Sequence, residues 1–173
     1  MRFVIRGAVF LVLGVLGACA GNVAPISAED MNTIDKNSAV ILVGVLKRGN
    51  LDMSTLVDDK NVHYSISTNK PEDVMAFRYR QPIPGKFAIT SVRFGITAEL
   101  EGEFEAPKFI TIDKPGIYYY FSVLTINDWS YGPRYEMPDI LLPMAHAKYP
   151  EIFERLKPVN FNDIKESSKR KKE

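Results

Sequence analysis

Beyond the first residues, two stretches of this chain are apolar on both faces of a strand, and the segments between them alternate. Residues 38–46, SAVILVGVL, are rich in Val and Ile. Such a run fits a strand buried on both faces. Residues 116–127, GIYYYFSVLTIN, have the same texture and predict a second central strand. Within it, alternation puts Tyr118 and Tyr120 on one face and Tyr119 with Phe121 on the other. The three tyrosines therefore read as core and sheet wall, not as one binding platform.

Between these runs, residues 62–67 set Val62, Tyr64 and Ile66 against His63, Ser65 and Ser67. NKPED then breaks the chain, and residues 74–80, VMAFRYR, resume it. The stretch 85–113 changes phase. Phe87 and Ile89 share one face, after which Val92, Phe94, Ile96, Ala98 and Leu100 take over. A period of two cannot slip without a bulge or bend, which is expected near Thr90–Ser91. Alternation continues to Phe104, unusually far for one strand. Gly102 is the expected hairpin corner, with PKFITID on the return.

Seven or eight short strands between 38 and 135, with turn signals at even spacing, predict a mainly β protein. The expected architecture is a single antiparallel β-sandwich over residues 37–161. Beyond residue 137, Pro143 and Pro150 suit the first turns of two short helices. Ile152, Phe153 and Leu156 would give the second helix an apolar face, so the pair is expected to cap an open end or edge. Residues 162–173 are charged and read as a disordered tail. Its KRKK (169–172) has two readings, a contact for anionic headgroups or lipopolysaccharide phosphate and a plain solubilising segment.

The first residues differ in kind. Arg2 and Arg6 precede an apolar run from Gly7 to Leu16, too short to span a bilayer, which takes about 20 residues. Residues 1–18 therefore read as a secretory signal peptide. Residues 20–36 are small, polar and aperiodic, and read with Cys19 as a flexible tether spanning roughly 20–25 Å.

Composition changes this picture little. Of 173 residues, 25% are charged and 46% apolar, and the formal net charge is +1. Removing residues 1–18 leaves 20 basic against 21 acidic side chains. No global field points to nucleic acid.

The sequence LGAC (Leu16, Gly17, Ala18, Cys19) resembles the bacterial lipobox. The resemblance implies diacylglycerol on the Cys19 sulfur, cleavage before Cys19 and acylation of its new amino group, so that lipid at Cys19 holds the mature protein to a membrane. Cys19 is also the one cysteine of the chain, so an intrachain disulfide is excluded. Ala20 stands where the family's inner-membrane retention signal usually has Asp, which implies the outer membrane, facing the periplasm.

Residues 84–92, PGKFAITSV, and 115–123, PGIYYYFSV, match at five of nine positions with an offset of 31, four identically (Pro, Gly, Ser, Val) and one as aromatics (Phe87, Tyr118). In each, Pro and Gly suit the second and third positions of a type II turn. A Pro-Gly corner opening a central strand resembles prealbumin-like and carboxypeptidase-regulatory-like β-sandwiches, and domains of bacterial lipoproteins. The resemblance covers residues 38–126. It implies a non-enzymatic accessory, binding or structural domain, with no catalytic residue and no cofactor.

Candidate chemistry is sparse. No metalloprotease, nucleophile-elbow or phosphate-loop motif occurs in the sequence. His63 lies on the polar side of its strand, and His146 reads as solvated or packed against the sandwich. Glu99, Glu101, Glu103 and Glu105 form an acidic ladder, read as a solvated edge in preference to a Ca²⁺ site. Residues 127–139, NDWSYGPRYEMPD, hold the sole tryptophan. There Trp129, Tyr131, Arg134 and Tyr135 either anchor an envelope protein or glycan partner or plug the end of the sandwich. The expected function is a non-catalytic accessory or binding module. A structural envelope subunit and an enzyme using Glu and Tyr around 127–139 remain alternatives.

Overall fold

A computed structural model describes residues 21–47, 53–66, 70–94, 100–104, 107–126 and 138–160. In chain order these hold β1 (Asn22–Val23), α1 (Ala28–Met31), β2 (Ala39–Lys47), β3 (Met53–Asp58) and β4 (His63–Ser65). There follow β5 (Glu72–Arg78), β6 (Gly85–Phe87), β7 (Ile89–Phe94), β8 (Leu100–Glu103), β9 (Ile110–Ile112) and β10 (Gly116–Ile126). The chain continues into α2 (Pro138–Lys148) and α3 (Pro150–Arg155).

The protein is mainly β. The strands form a five-stranded sheet, β1-β4-β3-β7-β8, a three-stranded sheet, β10-β2-β5, and a β6-β9 pair. The expectation of wholly antiparallel pairing is corrected, because β10 runs parallel to β2, and β1 parallel to β4. The physical sign was present in the sequence. A run apolar on both faces marks a strand covered on both sides, which is where parallel pairs occur.

The two apolar runs do form adjacent strands, with Ile117 opposite Val40 and Tyr119 opposite Leu42. Ile41, Val43, Met75, Phe77, Tyr118 and Tyr120 point to one side and share a core with Leu56, Tyr64, Ile89 and Val92 of the five-stranded sheet. Edge-to-face ring pairs knit this core, with Tyr64–Phe77 at 5.2 Å, Tyr64–Phe87 at 5.6 Å and Phe87–Tyr120 at 5.1 Å. Val40, Leu42, Val74, Ala76, Ile117 and Tyr119 point the other way, toward Leu141, Ala145, Tyr149, Ile152 and Leu156. The helices thus cover a face of the sheet. Gly44 permits their close approach, since a Cβ there would run into the Leu141 side chain.

The phase slip at 87–92 is a β-bulge. Val57 pairs with Ser91 and Asp58 with Ile89, leaving Thr90 as the extra residue. The Thr90 hydroxyl lies 3.3 Å from the Val57 carbonyl and 3.2 Å from that of Asp58. Gly102 is not a corner. It lies inside β8 opposite Val92, and residues 110–112 pair with β6 instead of returning along β8.

The two Pro-Gly segments also diverge. Gly116 has φ +150° and opens an 11-residue strand, whereas Pro84 follows a cis peptide and Gly85 opens a three-residue strand. Pro150 begins α3, but Pro143 falls inside α2. Pro143 itself is exposed there, so its ring displaces no core side chain, although it removes one helical hydrogen bond.

Residues 22–34, read as part of a free tether, fold onto the domain. Val23, Ile26 and Ile34 are buried, β1 pairs with β4, and the Ile26 N–H donates to the Ala76 carbonyl at 2.8 Å. Three apolar residues spaced irregularly carry no helical or strand period, which hid them. Ser27 and Asp30 form a capping box on α1, with Asp30 N–H to Ser27 Oγ at 3.2 Å.

Candidate functional site

The residues singled out by sequence for function, Cys19 and Trp129, Tyr131, Arg134 and Tyr135, lie outside the described residues. So do Glu99 and Glu105 of the acidic ladder, while Glu101 and Glu103 sit on β8 opposite Arg93 and Ser91. His63 is half-buried, with Nε2 3.3 Å from Asn61 Oδ1. His146 is exposed and stacks on Phe153 at 4.5 Å. Among the described residues no three His, Cys, Asp or Glu side chains gather as a metal site would require. No helix among them is long and apolar enough to cross a membrane.

The structure supplies a site that sequence reading missed. A cleft of about 340 Å³ lies between β9, the corner leading into β10, and residues 159–160. Ile110 and Ile112 turn inward, so Phe109 and Thr111 turn out. Phe109 is 50% exposed, and is the one large apolar side chain so exposed among the described residues. An aromatic on the polar phase of a short strand is the signal that PKFITID carried. Lys108, Thr111 and Asp113 supply polar groups, and Val159 continues the apolar wall.

The floor is rigid because Tyr118 ties it. Its ring is buried. Its hydroxyl lies 2.8 Å from both Asp113 Oδ1 and the Lys114 carbonyl, donating to one at a time. It accepts from the Asp113 and Lys114 N–H groups at 3.2 Å. These bonds tie a buried tyrosine to backbone four and five residues upstream and so pin the turn that leads into β10. The Tyr118 hydroxyl holds the Asp113 carboxyl below its ordinary range, and burial pushes the Tyr118 phenol up.

The far wall is fixed by a side chain acting as backbone. Asn160 Oδ1 accepts the Tyr119 N–H at 2.8 Å and Asn160 Nδ2 donates to the Tyr119 carbonyl at 3.0 Å. Lys157 and Val159 complete the ladder on Ile117, at 2.9 Å each. The cleft therefore has fixed walls, an aromatic lip and a few polar groups, features that ligand-binding sites share.

No protein-family model, curated protein or solved structure matches this chain.

Proposed function

We propose that the chain is a lipid-anchored cell-envelope lipoprotein whose domain is a non-catalytic accessory or binding module for an envelope protein or glycan. The LGAC sequence ending at the single cysteine, behind a basic and apolar leader, carries the anchoring half. The binding half is supported by the Phe109 cleft, where an exposed aromatic stands beside fixed polar groups. We read the five-stranded and three-stranded sheets, which share one aromatic core, as the two leaves of a β-sandwich. The outer membrane, facing the periplasm, is the proposed address.

The anchoring test is Cys19→Ser in a bacterial host. Wild type is expected in the membrane fraction with a mass carrying diacylglycerol, and the variant is expected to lose both. Membrane retention with unchanged processing in Cys19→Ser sinks the lipoprotein reading. For the cleft, capture of envelope components on wild type is compared with capture on Phe109→Ser, an exposed change that the fold tolerates. Equal capture by both removes the cleft from the proposal.

A further inference from the structure

A second cleft, of about 120 Å³, lies where the chain enters the fold. It is smaller than the roughly 300–1,000 Å³ of sites for drug-sized ligands. Val23, Ile26 and Ile34 form its apolar side, and Arg78, Arg80 and Thr33 its polar side. Arg78 Nη2 donates to the Thr33 carbonyl at 2.7 Å and lies 2.6 Å from Thr33 Oγ1, which fixes the guanidinium. Arg80 is exposed and makes no hydrogen bond among the described residues. The carboxylate in the cleft, Asp30, accepts from Ser27 Oγ at 2.8 Å and also lies in the field of Arg78 and Arg80. Two guanidinium groups, one fixed by hydrogen bonds and one without any, against one carboxylate leave positive charge for a phosphate, whose oxygens match the planar fork.

Chain length says which phosphate. Two residues, Ala20 and Gly21, separate Cys19 from Asn22 at the start of β1. Three Cα–Cα steps of about 3.8 Å put the Asn22 Cα within about 11 Å of the Cys19 Cα. A lipid headgroup layer is itself roughly 5–8 Å deep. A lipidated Cys19 would thus hold this end of the domain at the headgroups, far closer than a free tether through residue 36 would. Asn22 pairs with His63, and the adjoining turn carries Lys60, whose Nζ lies 3.1 Å from the Lys86 carbonyl. Lys60 Nζ also lies 5.8 Å over the ring of Tyr79, which stands between Arg78 and Arg80 in the chain, and the carboxylates that act on the arginines are Asp30 and, for Arg78, Asp35.

We infer that this end of the domain sits on the membrane and that the Arg78–Arg80 cleft binds the phosphate of an anionic lipid headgroup. The inference rests on the lipid-anchor reading, and its test separates the two. The full chain is placed in nanodiscs of phosphatidylcholine alone or with phosphatidylglycerol, its mass is measured, and amide exchange is followed. Phosphatidylglycerol is expected to slow exchange in residues 21–34 and 76–80 at least threefold. Arg80→Gln, which removes no hydrogen bond of the fold, is expected to abolish most of that slowing, and Arg80→Lys to keep part of it. Equal exchange in the two discs, or slowing that survives in Arg78→Gln/Arg80→Gln, overturns the assignment. Inorganic phosphate at 10 mM, added to the phosphatidylcholine discs, is expected to leave exchange unchanged. Slowing by phosphate equal to that by phosphatidylglycerol would make free phosphate the ligand and overturn the headgroup source. A mass without diacylglycerol refutes the anchor separately, whatever the exchange shows.

Discussion

In the three-stranded sheet, consecutive residues of β2 leave on opposite sides, and both sides are buried. Val40 and Leu42 meet the helices, and Ile41 and Val43 meet the aromatic core. In the five-stranded sheet, Leu56 and Tyr64 are buried against the core, while the opposite face mixes half-exposed Thr55, His63 and Ser65 with buried Val57 and Ser91. The first sheet has lost its solvent face, and its edges are dressed by side chains. At β5, Lys148 Nζ reaches the Val74 carbonyl at 2.9 Å and Asp73 at 2.7 Å, and the Ala76 N–H lies 3.3 Å from the Tyr149 hydroxyl. Burial then pushes the Tyr149 phenol up to about 12. At β10, Asn160 does the corresponding job. The five-stranded sheet is held mainly by strand pairing and one fully packed face. The edge strands of the three-stranded sheet, β5 and β10, therefore depend on polar groups supplied from elsewhere in the chain, because burial leaves no water to satisfy an open edge.

The most forceful way to break this contrast is truncation on the helix-facing side. Leu42→Ala is expected to cost about 2–5 kcal/mol, the range for a buried leucine. Ser65→Ala, on the half-exposed side of β4, removes one exposed bond to Asn22 at 3.1 Å and is expected to cost below about 1 kcal/mol. Urea unfolding of both variants measures the difference. Similar losses would mean that the two sheets are equally buried in solution.

Gly116→Ala comes next, at roughly 1–3 kcal/mol. Gly116 holds φ +150°, and an added Cβ would meet Val159 and approach the Lys157 carbonyl at 2.9 Å. The change strikes the junction of β10 with its edge cover, so it should loosen residues 157–160 before the sheet. Faster amide exchange at Val159 than at Tyr119 would show that order, and equal acceleration would contradict it.

What the sequence disclosed follows the same division. The doubly apolar runs at 38–46 and 116–127 announced β2 and β10, and the slip after Ile89 announced the Thr90 bulge, because both are local consequences of side-chain period. The direction of β10 was not local. Nor was the choice of β6 as partner of β9, which rests on pairings across 23–27 residues of chain, such as Gly85 with Ile112. Val23, Ile26 and Ile34 were hidden because irregular segments bury apolar residues without a period. The Phe109 cleft was half visible. Its aromatic lip could be read from alternation, but its far wall comes from Asn160, 51 residues on.

Asn160 tests the edge cover alone. Asn160→Ala leaves the Tyr119 N–H and carbonyl without the side-chain amide, at a cost of about 1–3 kcal/mol. Asn160→Asp keeps an acceptor for the N–H but sets a carboxylate against the Tyr119 carbonyl. It should recover stability only on acidification, when the acid can donate. A stability profile for Asn160→Asp that is flat with pH would refute the role given to Nδ2.

The smallest effect concerns the β10 corner and fixes a sign. Asp113 accepts from the Tyr118 hydroxyl, and this bond, followed by its own backbone N–H, lowers its pKa from 3.8. A carboxyl with a folded pKa below its unfolded one stabilises the fold above the unfolded value. That contribution disappears as pH falls through the folded value. Asp30 and Asp35 are lowered in the same direction by Ser27 and Ser38, so wild-type stability should fall below about pH 4 through several groups at once. Asp113→Asn removes one of them. Its urea midpoint should lie slightly below wild type at pH 7, and the gap should narrow as pH falls below the unfolded carboxyl value, because the neutral amide accepts from Tyr118 at every pH. An offset that does not narrow with acid would mean that the ionised carboxylate contributes nothing. The corner would then be held by the Tyr118 bonds to backbone alone, by uncharged contacts like those that Asn160 makes along β10.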